Sequence, residues 1–154
     1  MSAPNRSAGD RQRSAGPLPS TVDGWQSFGQ GYLPGLIGIE IREVTRGRVV
    51  TRLPLRKEVL APNGYLHGAT VIALAETSCG YGTVASLPDG ARGFTTIEIK
   101  ANYLGTLLEG AIACEATITH SGRTTQVWDA KVSDEATSRV IALFRCTQIV
   151  LYPA

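Results

Sequence analysis

The sequence predicts an α+β domain, an antiparallel β-sheet laid against one long helix. Apolar and polar residues alternate in six separate stretches, the pattern of half-buried strands. Between the second and third of them, residues 63–87 form a run of about 25 residues bounded by Pro62 and Pro88, too long for one strand and of helical length. Two strands, a helix and then four strands with short connections favour hairpins over crossovers, hence an antiparallel sheet. With 154 residues, 43% hydrophobic and 18% charged, the chain has the size and composition of one globular domain.

Residues 1–24 are rich in Ser, Ala, Pro and Arg without periodicity and are predicted to be a disordered leader, with the folded domain spanning 25–154. Ile37, Ile39 and Ile41 alternate with Gly38, Glu40 and Arg42, and after a turn at Thr45-Arg46-Gly47 the alternation resumes at Val49, Thr51, Leu53 and Leu55. The predicted helix is crowded with small residues (Gly68, Ala69, Ala73, Ala75, Cys79, Gly80, Gly82, Ala85), so it can lie close to a sheet or to another chain. Beyond the turn Leu87-Pro88-Asp89-Gly90 come strands over 95–104, with Ile97, Ile99, Ala101 and Tyr103 on one face, and then over 111–120, 124–133 and 140–151. A single helix covers only one face of such a sheet.

Fifteen Lys and Arg against 13 Asp and Glu give a net charge of +2, without the basic footprint of a nucleic-acid binder. Arg6, Arg11 and Arg13 precede no apolar run, so neither a secretory signal nor a membrane span is expected. Cys79, Cys114 and Cys146 are odd in number, lack a C-x-x-C pair and have no histidine at metal-ligand spacing. They are expected to be packing residues, with no metal, in the reducing cytoplasm.

Chemistry concentrates in the helix. Between Glu58 and Asp89 the only acid or imidazole side chains are His67 and Glu76. A carboxylate among Leu74, Ala75 and Cys79 is costly to desolvate, and function is one reason to tolerate that cost. The other reading is a structural Glu76 bonded to backbone, Thr77 or Ser78 at a subunit contact. Helical neighbours Ala69, Ala73 and Gly80 leave room above Glu76. His67 and Gly68 fall at the helix entrance, where unpaired N–H groups favour anionic oxygen; the alternative is a core-edge histidine bonded to a backbone carbonyl. Nine residues separate His67 from Glu76, about 13 Å along the axis and half a turn around it. Two antiparallel copies of the helix across a symmetric dimer bring the entrance of one to the middle of the other. Arg123, Thr124 and Thr125 are either phosphate donors or an ordinary turn. Arg42, Arg46, Arg48, Arg52 and Arg56 read as a solvated sheet face, and His120 as a turn residue.

The run Asn63-Gly-Tyr-Leu-His-Gly-Ala-Thr-Val-Ile-Ala-Leu-Ala-Glu-Thr resembles the signature N-x-x-G-x-x-H-G-G, apolar helix, then Asp or Glu, of the PaaI-like hotdog-fold thioesterases. Its Leu-Ala-Glu variant is most similar to the Glu-dependent 4-hydroxybenzoyl-CoA thioesterases. The resemblance covers about residues 30–152: Thr96 to Tyr103 is similar to the family's central strand, Gly110 to the glycine opening the next one, and Ser121-Gly-Arg-Thr-Thr-Gln-Val-Trp-Asp to its G-x-T-T-x-x-W-D stretch. It implies a hotdog fold, a sheet wrapped around one long central helix, with dimers formed through the sheet, a homotetramer as a dimer of dimers, and active sites shared between chains. By the same resemblance Glu76 is the nucleophile or general base, the Gly68 N–H polarises the thioester carbonyl, and His67 positions the thioester. Asn63, Gly64, Ala69, Thr77, Gly80, Arg123, Thr124 and Thr125 are the implied substrate-binding residues.

The implied reaction is hydrolysis of an aromatic (hydroxybenzoyl- or phenylacetyl-like) or medium-chain acyl-CoA, with no cofactor beyond the coenzyme A of the substrate. A hotdog hydratase or dehydratase and a non-catalytic acyl-CoA binder are the alternatives. Four positions depart from the family pattern. Ala69 replaces the second glycine of His-Gly-Gly, and Ala61 stands where an Asn or Gln is usual, with Asn63 two positions later. Gly80 replaces the Ser or Thr four residues after the acid, leaving Thr77 or Thr83 to substitute. Gly105-Thr106 replaces an Arg-Pro that contacts nucleotide phosphates, which leaves acyl carrier protein open as the carrier.

Overall fold

The computed structural model describes residues 18–153. Its β-sheet has six antiparallel strands: β1 (Glu40–Thr45), β2 (Arg48–Pro54), β3 (Gly93–Tyr103), β4 (Ala111–Ser121), β5 (Thr125–Asp134) and β6 (Val140–Leu151). Their spatial order is β1-β2-β4-β5-β6-β3, so β1 and β3 form the edges. The main helix lies between β2 and β3 in sequence. It packs on the inner face of the sheet, which is the predicted hotdog arrangement.

Two short helices precede the sheet where the sequence reading places a leader and a strand. Helix α1 (Val22–Phe28) begins at Thr21, whose hydroxyl accepts from the Gly24 N–H at 3.1 Å. It buries Trp25 against Tyr81, with ring centroids 5.5 Å apart. The expected leader over 1–24 therefore meets ordered helix in its last residues, while residues 1–17 lie outside the described part. Helix α2 (Leu33–Ile37) takes Ile37, expected in the first strand. Pro34 in its first turn presets helical backbone, and Gly38 closes it at φ +83°. The Arg56 guanidinium then donates to the Leu36 and Ile37 carbonyls at 3.1 and 2.6 Å, satisfying the helix end from another element. Strand β1 accordingly starts only at Glu40.

The long helix α3 runs from Gly68 to Ala85, shorter than the expected 63–87. Residues 61–65 instead make a tight turn, in which the Ala61 N–H donates to Tyr65 O and the Gly64 N–H to Ala61 O, with Gly64 at φ +82°. Val71, Leu74, Ala75 and Cys79 enter the core beside Leu53, Ile112, Trp128 and Ile141. The small residues of α3 permit this close approach. A Cβ built on Gly82 would stand 2.4 Å from Cη2 of Trp128, and one on Gly80 would stand 3.3 Å from Cζ of Phe94. Polar groups inside are paired: Ser78 donates to Leu74 O and accepts from Thr51, and the Thr83 hydroxyl donates to Cys79 O.

Strand β3 does not alternate without interruption. Its pairing with β6 steps from Thr96↔Gln148 to Glu98↔Thr147, leaving Ile97 as an extra residue. Phe94 and Thr96 before this bulge, and Ile99, Ala101 and Tyr103 after it, are therefore matched to Val150, Gln148, Cys146, Phe144 and Ala142, all buried. Without the bulge those two sets would point to opposite faces. The outer face is the solvated surface that the arginine pattern suggested, and it carries ion pairs: Arg48 bridges Glu43 and Glu115, and Arg52 bridges Glu40 and Glu135. Among the described residues no helix is long and apolar enough to cross a membrane.

Candidate active site

Helix α3 presents both predicted groups. His67 is its N-cap: Nδ1 accepts from the Ala69 N–H at 3.0 Å, which leaves the proton of the neutral ring on Nε2, and the residue is exposed. The ring thus bonds a backbone N–H, not the carbonyl of the structural reading. The Gly68 N–H has no acceptor among the described residues, while its carbonyl accepts from the Tyr103 hydroxyl at 3.2 Å. Tyr103 also lies over Gly68, with Cζ and Oη each 3.1 Å from where a Cβ would be. A side chain at this position would push the Tyr103 ring outward by a few tenths of an ångström.

Glu76 is half-buried on the side of α3 that faces β3. Its Oε1 accepts from the Thr96 hydroxyl at 2.8 Å, a charge-assisted bond, rather than from backbone, Thr77 or Ser78. Thr96 Oγ also lies 2.8 Å from the side-chain amide of Gln148, which is fully buried. The sequence reading placed Thr96 only inside a strand motif and did not single out Gln148. A polar residue buried on the helix-facing side of a strand was the available signal, but the bulge hides which residues face that way.

The other candidates separate into three groups. Asn63, Gly64 and Ala69 are exposed around the helix entrance, close in sequence to His67 and Gly68. Thr77 and Gly80 lie on α3 beside Glu76, yet Gly80 is buried and faced by the Phe94 ring, which takes part of the room expected above Glu76. Thr83 is committed to the Cys79 carbonyl and cannot supply the missing hydroxyl. Arg123 and Thr124 sit in the β4–β5 turn and Thr125 opens β5; the turn is tied to the end of β6 by the Tyr152 hydroxyl on Arg123 O at 2.6 Å and by the Val150 N–H on Thr124 O. That turn is at the opposite end of α3 from His67, since Gln126, next along β5, bonds the Ser86 carbonyl. A single chain does not bring it to the helix entrance.

Cys79 and Cys114 are poor nucleophiles. A hydrogen bond to Cys146 and burial push the Cys79 thiol well above its usual range, and burial pushes Cys114 up to about 12. Among the described residues no three His, Cys, Asp or Glu side chains cluster as metal ligands. What remains is a carboxylate fixed by one hydroxyl, and an amide-rich helix entrance elsewhere on the same helix. A carboxylate and free backbone N–H groups are groups that acyl transfer can use, and here they stand at two separate places on one helix.

Residues 63–141 match the model of the thioesterase superfamily. A 1,4-dihydroxy-2-naphthoyl-CoA hydrolase of Listeria monocytogenes is 38% identical over 111 residues, 72% of this chain and 89% of the relative. The Escherichia coli enzyme of the same description is 26% identical over 85% of this chain and 95% of its own. Among solved structures, a thioesterase of Haemophilus influenzae superposes with a TM-score of 0.80 at 25% identity, covering 87% of this chain and 92% of that one. A thioesterase of Staphylococcus aureus gives 0.72 at 31% identity, over 77% and 98%. Fold, family match and relatives agree: the chain belongs to the thioesterase superfamily, with the hotdog fold, and is a thioester hydrolase.

Proposed function

We propose that the chain hydrolyses an aromatic or medium-chain acyl-CoA, with Glu76 as the group that attacks the thioester or directs water at it. The observation that carries this reading is the half-buried Glu76 carboxylate, held by Thr96 on a helix strip otherwise lined by small residues. Either route is chemically complete. As a base, Glu76 takes a proton from water while the water oxygen adds to the carbonyl carbon; the oxyanion collects on the Gly68 N–H, then the C–S bond breaks and the thiolate takes up a proton. As a nucleophile, Glu76 adds to the carbonyl carbon and expels the thiolate, which takes up a proton, to leave an acyl anhydride; water then opens the anhydride to the free acid and the restored carboxylate. The aryl preference is supported by the Listeria relative, named for a dihydroxynaphthoyl-CoA.

Hydrolysis at a single carbonyl needs the helix entrance and Glu76 together, so the reading includes a homodimer with shared sites. Edge strand β3 supports it: its outer N–H and C=O groups pair with no strand among the described residues, and Ile97, Ile99 and Tyr103 are 58%, 45% and 50% exposed beside them. Antiparallel pairing of two β3 edges carries His67 and Gly68 of one copy toward Glu76 of the other. The reading extends to a dimer of dimers in the cytoplasm, to water as the only cosubstrate, and to Arg123, Thr124 and Thr125 as contacts for the phosphates of the carrier.

The test is steady-state hydrolysis of a panel of aryl and alkyl acyl-CoAs, followed by thiol release. Turnover with benzoyl- or phenylacetyl-type substrates at kcat/KM above that of short alkyl chains is expected. Failure with every thioester, or saturable binding of intact acyl-CoA without release of thiol, overturns the reading.

A further inference from the structure

Thr96 and Gln148 are the polar groups around Glu76 that the catalytic reading leaves unexplained. Thr96 Oγ lies 2.8 Å from Glu76 Oε1 and 2.8 Å from Gln148 Oε1, but a hydroxyl has a single hydrogen and cannot donate to both. At its other end the Gln148 amide nitrogen is 3.3 Å from Cys146 Sγ. A half-turn of the amide, which exchanges nitrogen and oxygen and moves no other atom, resolves the conflict. The Gln148 NH₂ then donates to Thr96, the Thr96 hydroxyl donates to Glu76, and the amide oxygen accepts from the Cys146 thiol. Gln148 and Cys146 are both fully buried, so no solvent competes for the bond between them, and that end of the chain of bonds is fixed.

The order of donors has a direction. With Gln148 giving its hydrogen to Thr96, the acceptor left for the hydroxyl hydrogen among the described residues is the Glu76 carboxylate. The helix position that could have served instead, four residues after the acid, is Gly80, and the Phe94 ring fills the adjoining space. Phe94 and Thr96 share a face of β3, so one strand both closes that space and brings a hydroxyl to Glu76.

We propose that Thr96 is a positioning residue that fixes the Glu76 carboxylate for reaction, and that Gln148 locks Thr96 into the donor role. This rests on Glu76 acting in thioester hydrolysis. Glu76 has several rotatable bonds, and a carboxylate misplaced by about 1 Å can cost as much as 10²-fold in rate. Losing a hydrogen bond to a charged group converts to a loss of roughly 10-fold to 100-fold.

The experiment compares Thr96→Val, Thr96→Ser and Glu76→Gln, together with Thr96→Val combined with Glu76→Gln, on the full chain, with kcat and KM for one good acyl-CoA and the unfolding midpoint of each variant. Thr96→Val is expected to lower kcat roughly 10-fold to 100-fold with KM within about threefold of wild type, and Thr96→Ser to restore it. Added to Glu76→Gln, Thr96→Val is expected to cost nothing further. Unchanged kcat in Thr96→Val while Glu76→Gln is inactive overturns the positioning role and leaves the catalytic reading standing. An equal fall in Thr96→Val and Thr96→Ser, in step with a lowered unfolding midpoint, also overturns it, because that is the mark of packing alone. Wild-type turnover in Glu76→Gln instead sinks the catalytic reading itself.

Discussion

Glu76→Ala is expected to lower kcat for the best acyl-CoA by at least about 10²-fold, with KM changed far less. A positioned general base typically contributes 10²–10⁴-fold, and a covalent nucleophile more. The substitution removes a half-buried carboxylate with one strong partner, Thr96, and leaves that hydroxyl free to turn to water. Small residues already surround the site, so Ala adds no clash and the unfolding midpoint should stay close to that of wild type. Steady-state thiol release with a thermal melt on the same preparation checks both halves. A kcat within about threefold of wild type would remove Glu76 from the chemistry.

The largest effect on stability is expected at Gly82. A methyl group there would lie 2.4, 2.6 and 3.0 Å from three atoms of the Trp128 ring, well inside contact distance. Trp128 cannot give way: it is fully buried, and its Nε1–H is bonded to the Gln126 side chain at 3.1 Å. Alanine gains up to about 1 kcal/mol of helix propensity over glycine, whereas overpacking a rigid core costs about 1–3 kcal/mol and sometimes more. The balance is a net loss of about 2 kcal/mol, a fall in Tm of about 4–8 °C for a chain of this size. Gly80→Ala is the internal control, since its nearest contact is the half-buried Phe94 ring at 3.3 Å, which has room to shift. Equal melting points for wild type and Gly82→Ala would show that α3 slides on the sheet to make space.

Much of this architecture is legible in the sequence, because strand alternation and a run too long for a strand are local signals. Residues 111–120, 124–133 and 140–151 read as strands from period alone, and the structure has strands there. Helix α2 is not legible in the same way. Ile37, Ile39 and Ile41 mimic a strand, while the features that turn Leu33–Ile37 into helix are Pro34, the left-handed Gly38 and an arginine 19 residues from Ile37. His67 and Glu76 stand out by being alone in an apolar segment. Thr96 and Gln148 do not, since Thr96 meets Glu76 across 20 residues and Gln148 meets Thr96 across 52. A threonine and a glutamine are unremarkable in a strand, and the bulge at Ile97 breaks the alternation that would assign Thr96 a side.

All three cysteines of this chain are free and at most 1% exposed. Oxidants and electrophiles that attack thiolates meet no target on the folded surface. Sulfur damage then becomes a question of how often the sheet parts from α3, and the chain's chemical lifetime follows its rare openings more than the oxidant concentration around it.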